Sequence, residues 1–233
     1  MSEFLDILNN KDVKVDFVPK TYVAIVLDKS GSMYSLKNEI IGGLNSELET
    51  IKNKTENQDV KVSLVPFSSK VENPIFWNLD IKNVRKLKDK DYKTEGMTAL
   101  YDAIGFTVSK LKKQEDINDE NVSVLMLVVT DGFENHSREF DFDNITKIIN
   151  DLKATDRWTF SYLGTSDLTE IQKLGFDIGN TRNLDATPEG MKTASVYTSC
   201  AYDNYFSSRK IGIKSVKDFY TSSVYSEKEE EHK

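Results

Sequence analysis

The sequence predicts an α/β fold: a doubly wound, mostly parallel central sheet with one antiparallel edge strand and helices on both faces. Three observations lead there. Continuous apolar runs such as TYVAIVL (21–27) and VSVLMLVV (122–129) read as strands buried on both faces, as parallel sheets require. Segments with apolar residues at helical spacing alternate with these runs, which implies right-handed crossovers. Residues suited to chemistry fall at the carboxyl ends of the runs, where ligands bind in open sheets of this kind.

Taken in order, Phe4 to Asn9 reads as a short helix inside a lead-in of residues 1–17. The run 21–27 ends at Asp28 and forms the first strand. Ile40, Leu44, Leu48 and Ile51 share one stripe, so 36–54 is predicted helical. Gly42 and Gly43 interrupt that helix at about 1 kcal/mol each against alanine, and close packing of the helix on the sheet accounts for them. DVKVSLVPFS (59–68) is the second strand. VENPIFWNL (71–79) follows too closely for a crossover helix, so it pairs antiparallel at an edge, where Pro74 is tolerable. Leu100, Ile104, Val108 and Leu111 mark a helix over 98–112, and 122–129 is the central strand. A helix over 145–152, a strand at WTFSYLG (158–164) and helices around 169–174 and 188–206 complete the pattern. In the last helix Tyr197, Tyr202, Tyr205 and Phe206 read as core. One domain thus covers 18–210, and an extension, 211–233, ends in the disordered, acidic, solvated tail EKEEEHK (227–233).

Composition narrows the function classes. The 233 residues include 31 basic and 38 acidic side chains, a net charge of −7, which argues against a general nucleic-acid binder. No apolar run reaches the roughly 18 residues that a membrane span needs. The first residues, MSEFLDILNNKDVKV, carry acids where a cleaved signal would carry bases, so a cytoplasmic protein is expected. The single Cys200 excludes an intramolecular disulfide, fits a reducing compartment and reads as a small buried hydrophobe.

Three loops carry the chemistry. The first leaves the opening strand as Asp28-Lys-Ser30-Gly-Ser32, the second is Gly96-Met-Thr98 at a helix start, and the third is Thr130-Asp131-Gly132 after the central strand. Each supplies hard oxygens: carboxylates from Asp28 and Asp131, hydroxyls from Ser30, Ser32 and Thr98. Oxygen-only ligation selects Mg²⁺, Mn²⁺ or Ca²⁺ and disfavours zinc. Two carboxylates and three neutral oxygens leave coordination to be completed by water or an outside group. Without an ion the two carboxylates should face each other, and one should resist ionising. Glu134, Asn135 and Arg138 crowd the third loop and fit either the rim of such a site or a solvated turn, while His136 reads as an exposed loop residue.

The chain resembles the von Willebrand factor type A domain family. The resemblance rests on LDKSGSM (27–33), GMTALYDAIG (96–105) and VVTDG (128–132), in that order and spacing, and covers roughly residues 18–205. It implies a metal-ion-dependent adhesion site in which Asp28, Ser30, Ser32, Thr98 and Asp131 hold a divalent cation, Mg²⁺ first, with Mn²⁺ or Ca²⁺ as alternatives. IIGGLNSEL (40–48), TDGFENHSRE (130–139) and WTFSYLG (158–164) are similar to stand-alone bacterial and bacteriophage members. Met97 stands where many members have a second glycine.

The expectation is therefore a non-catalytic module that presents a cation to an Asp or Glu of a partner protein. An assembly protein of a bacteriophage particle, and with it a virion location, is the alternative. A phosphoryl-transfer hydrolase using Asp28 is the enzymatic alternative. That reading wants a second carboxylate two residues after Asp28, where Ser30 stands. There is also no Gly-x4-Gly-Lys-Ser/Thr loop for a nucleotide.

Overall fold

A computed structural model describes residues 18–221; the helix expected at Phe4 to Asn9 and the tail at 227–233 lie outside the described residues. Strands β1 (Lys20–Asp28), β2 (Asp59–Phe67), β3 (Phe76–Asp80), β4 (Val122–Thr130), β5 (Trp158–Gly164) and β6 (Thr181–Asn183) form one sheet in the order β3-β2-β1-β4-β5-β6. All neighbours are parallel except β2 and β3, which pair antiparallel at the edge. Helices α1 (Lys37–Lys54), α2 (Leu100–Leu111), α3 (Phe142–Lys153), α4 (Leu168–Lys173) and α5 (Pro188–Lys210) cover it. Among the described residues no helix is long and apolar enough to cross a membrane.

Alternation along β1 divides the core. Val23, Ile25 and Leu27 join Ile40, Leu44 and Phe206 on the face covered by α1 and α5. Tyr22, Ala24 and Val26 join Ile104, Val108 and Ile149 on the face covered by α2 and α3. Both faces of β1 and β4 are therefore dry, which explains why these strands read as continuous apolar runs. Among the described residues the predicted strands and helices appear near their expected bounds, except that the edge strand begins at Phe76 and not at 71, where Val71 makes only an isolated bridge to Phe67. β6, three polar or β-branched residues paired at the end of β5, carries no periodicity from which it could be foreseen.

The last helix starts where Thr187 accepts a hydrogen bond from the Gly190 N–H and Pro188 opens the first turn. Tyr202, Tyr205 and Phe206 are buried as expected, whereas Tyr197 is half-buried with Arg182 over its ring at 3.5 Å. Cys200 corrects the expectation of a buried thiol: it lies on the exposed face of α5, because the core-facing stripe of that helix passes through Thr198, Ala201 and Tyr202. After α5 the chain returns to the core, burying Phe219 against Tyr202 and Tyr205 and Tyr220 against Phe219.

The α1 glycines also correct the reading. Gly42 faces open space, and Gly43 faces Ser195 of α5, whose Oγ would lie 3.0 Å from an added Cβ. Gly43 serves a close contact between helices, not between helix and sheet. One turn further along, Glu47 is buried in the same seam, 5% exposed, with Ser195 as its hydrogen-bonding neighbour and Oε2 without a partner. Burial pushes its carboxyl up to about 8.

Candidate metal centre

From β1 the chain first builds outward through β2 and β3 and then returns to place β4 on the other side of β1. The carboxyl ends of β1 and β4 thus flank the point where the winding reverses, the place where open sheets leave a crevice. Asp28 is the last residue of β1, and Thr130 ends β4 beside it.

Asp28 is fully buried and held on both oxygens. Oδ1 accepts from the Ser30 N–H at 2.6 Å and Oδ2 from the Thr130 hydroxyl at 2.5 Å. Its carbonyl accepts from the Tyr92 hydroxyl at 2.5 Å. The backbone turns sharply after Asp28 and brings the Ser30 Oγ to 3.1 Å from the Ser32 Oγ, and the latter donates to Asp131 Oδ1 at 2.6 Å. The first and third loops therefore meet through side-chain oxygens.

Thr98 completes the cluster from the second loop. It is 3% exposed, and an added Cβ on Gly132 would lie 3.0 Å from its Oγ1 and 3.7 Å from Asp28 Oδ2. Gly132 thus keeps a gap open between those two oxygens. Thr98 is free to point there because it does not cap α2. The first N–H groups of that helix are satisfied by the third loop instead: Tyr101 N–H donates to Glu134 Oε2 at 3.0 Å and Asp102 N–H to Ser137 Oγ at 3.1 Å.

The structure brings together the side-chain oxygens of Asp28, Ser30, Ser32, Thr98 and Asp131 that the sequence singled out, but what fixes them was not read from the sequence. Asn135 clamps Thr98, accepting its N–H at 2.9 Å and donating its own N–H to the Thr98 carbonyl at 3.0 Å. Glu134 accepts from the N–H groups of His136 and Ser137 at 2.8 and 2.7 Å. Asp102 accepts from the N–H groups of Arg138, Glu139 and Phe140, each at 2.9 Å. Glu134 and Asn135 are braces between the second and third loops, neither a bare rim nor a merely solvated turn. The signal available was an Asp-Gly turn followed by polar residues suited to bonding local backbone. His136 is half-buried, not exposed, with its Nε2 3.4 Å from the Arg138 guanidinium. Lys29, between the first two site residues, is buried and paired with Glu72 at 2.6 Å and Glu95 at 3.9 Å.

The electrostatics differ in cause from the sequence expectation. Both site carboxyls sit above the ordinary range, and burial is the leading reason for each. For Asp28 the hydrogen bonds from Thr130 and Ser30 oppose the rise, and repulsion from Asp131 enters last. For Asp131 the Ser32 hydroxyl opposes it.

Neighbouring donors are 2.6–3.1 Å apart along the chain Ser30–Ser32–Asp131. These are the separations of ordinary hydrogen bonds, and they also lie near the roughly 2.9 Å between adjacent oxygens of an octahedron with metal–oxygen distances of about 2.0–2.1 Å. Among the described residues no group of three or more His, Cys, Asp or Glu side chains converges. An ion here would take hydroxyls together with the two carboxylates, the oxygen donor set of Mg²⁺, Mn²⁺ or Ca²⁺ and not of zinc.

The sequence matches the family model of the von Willebrand factor type A domain over residues 23–189. No curated protein matches it. Among solved structures, the pilus adhesin SpaC from Lactobacillus rhamnosus GG aligns with a TM-score of 0.60 at 13% identity, covering 81% of this chain and 31% of that one. A von Willebrand factor type A protein from Catenulispora acidiphila aligns at 0.55 and 12% identity, covering 79% and 43%. A variant of the PilB minor pilin from Streptococcus sanguinis aligns at 0.55 and 13% identity, covering 83% and 64%. The chain thus spans less than two thirds of each of these structures, and the likeness is one of fold.

Proposed function

The chain belongs to the von Willebrand factor type A domain family, and from that premise we propose that it is a non-catalytic module that binds a partner protein through a divalent cation. The observation that carries the reading is the convergence of Asp28, Ser30, Ser32, Thr98 and Asp131 at the point where the winding of the sheet reverses. Mg²⁺ or Mn²⁺ would be held by Ser30, Ser32 and Thr98 hydroxyls with the two carboxylates, and when bound it supplies a Lewis-acidic position for an Asp or Glu of the partner. Adhesive and pilus proteins among the structures of like fold support a binding role over a catalytic one.

Two features support the absence of turnover. Both oxygens of Asp28 are engaged by Ser30 and Thr130, which leaves it poorly placed to attack a phosphoryl group. The second position after it is Ser30, where a hydrolase would want an acid to protonate the leaving group. The exposed thiol of Cys200, the single cysteine, suits a reducing, cytoplasmic setting.

Calorimetric titration with Mn²⁺ tests the reading directly. Wild type should bind one ion, Thr98→Ala should bind it more weakly, and Asp131→Ala should lose it. Phosphate esters should stay intact throughout. An unaltered titration in Asp131→Ala, or ester hydrolysis abolished by Asp28→Asn in a folded protein, would refute it.

A further inference from the structure

The site oxygens are graded in depth. Asp28, Ser30 and Thr98 are buried, whereas Ser32 is exposed and Asp131 half-buried. The open side of the centre is therefore the side of Ser32 and Asp131. Each of the three loops that supply the centre also carries a large, exposed apolar side chain beside a site residue. Tyr34, two residues beyond Ser32, is 75% exposed; Phe133, two beyond Asp131, is 61% exposed; Met97, one before Thr98, is 46% exposed. The loops that bear them are stitched together, Gly31 N–H to the Gly96 carbonyl at 3.1 Å and Asn135 N–H to the Thr98 carbonyl at 3.0 Å. The three side chains thus stand on loops that are joined at the centre. The other exposed large apolar residues of the described chain, Val18, Ile178, Val196 and Ile211, lie in none of these three loops.

At these exposures Tyr34, Phe133 and Met97 together present roughly 350 Å² of side-chain surface on the three loops of the centre. Packing does not require them there. The usual interface has an apolar centre and a polar rim; this one has a polar centre and an apolar collar. The charges around the centre sharpen the point. Lys29 is already paired with Glu72 and Glu95, and Asp28 and Asp131 repel an anion unless a cation lies between. A partner must therefore bring a carboxylate for the centre and apolar groups for the collar.

Resting on the cation-bridged reading above, we propose that the partner is a protein segment with one Asp or Glu flanked by large apolar side chains. Tyr34, Phe133 and Met97 grip the flanks while the carboxylate enters beside Ser32 and Asp131. The collar also excludes water from the ion contact, which strengthens it.

The probes are short fluorescent peptides with a single central Asp, flanked either by Leu and Phe or by Ser and Gly. Their binding to the full chain is read by anisotropy in Mn²⁺, with Mn²⁺ uptake measured separately. The apolar-flanked peptide should bind about tenfold tighter than the polar-flanked one, and Asn in place of Asp should abolish binding of both. Combining Tyr34→Ser with Phe133→Ser should erase the preference and leave Mn²⁺ uptake unchanged. Equal binding of the two peptides, or binding of neither to a chain that takes up Mn²⁺, overturns the proposal while sparing the cation reading. A chain that takes up no Mn²⁺ removes the cation reading and this proposal with it. A wild-type dimer that Phe133→Ser converts to monomer assigns the collar to a second copy and also overturns the proposal.

Discussion

Replacing Glu47 by glutamine should stabilise the protein, and by an amount that grows with pH. Glu47 lies in the seam between α1 and α5 and is kept neutral by burial, with its carboxyl raised from 4.5 to about 8. In the unfolded chain it ionises near its ordinary value. Between those two values the folded state holds a proton that the unfolded state has released, so stability falls by about 1.4 kcal/mol per pH unit. The stabilisation of the neutral form is complete below the unfolded value and is lost as pH rises to the folded one. Glutamine keeps the shape and does not titrate, so its slope lacks this contribution. From about pH 5.5 to about pH 7.5 the variant should therefore gain on wild type by about 3 kcal/mol, an appreciable part of the 5–15 kcal/mol of an ordinary domain. Urea unfolding followed by circular dichroism reads this as a midpoint difference that widens by about 1 M across the window, with equal slopes m. A difference that stays constant across the window would refute the reasoning, because it would mean that water reaches Glu47 and that the seam is not dry.

In thermal melts, Mg²⁺ or Mn²⁺ at a hundredfold excess over its Kd should add about 2.7 kcal/mol, roughly 5–10 °C in Tm, and Asp131→Ala should abolish that rise. Asn135→Ala should weaken Mn²⁺ affinity about tenfold in calorimetry, although Asn135 offers no ligand, because it releases the clamp on the Thr98 backbone. The two α1 glycines should part company in denaturant melts. Gly42→Ala, facing open space, should gain about 1 kcal/mol of helix propensity, whereas Gly43→Ala should gain nothing or lose stability because its Cβ would crowd Ser195.

Strands β1 and β4 were legible because burial on both faces leaves a continuous apolar run, and the candidate carboxylates Asp28 and Asp131 were legible because they sit where those runs stop. β6 was not, since a three-residue strand is specified by its neighbour and not by its own pattern. The braces were hidden for a related reason. Glu134, Asn135 and Asp102 bind backbone N–H groups, and which N–H a carboxylate meets depends on the path of the loop, not on residue type. Glu47 did leave a trace: it falls on the stripe of Ile40, Leu44 and Ile51, where a charged residue breaks the pattern. Gly43 was recognised as a close contact but assigned to the wrong partner, because spacing along one helix does not say which element covers it.

The parallel pairing of β1 with β4 has a consequence for how the protein folds. Ser32 and Asp131 meet across 99 residues of chain, and the strands that carry them cannot register until β2 and β3 have been laid down on the far side of β1 or left as an open loop of that length. Closing such a loop is entropically costly before any contact rewards it, and parallel topologies are slow for this reason. The oxygen cluster should therefore assemble late, in the step that unites the two halves of the sheet. No fragment on one side of β1 contains it. On the cation-bridged reading proposed above, ion uptake during refolding should follow the slowest sheet-forming phase, so that uptake reports completed topology and the ion is not a nucleus around which the chain collapses.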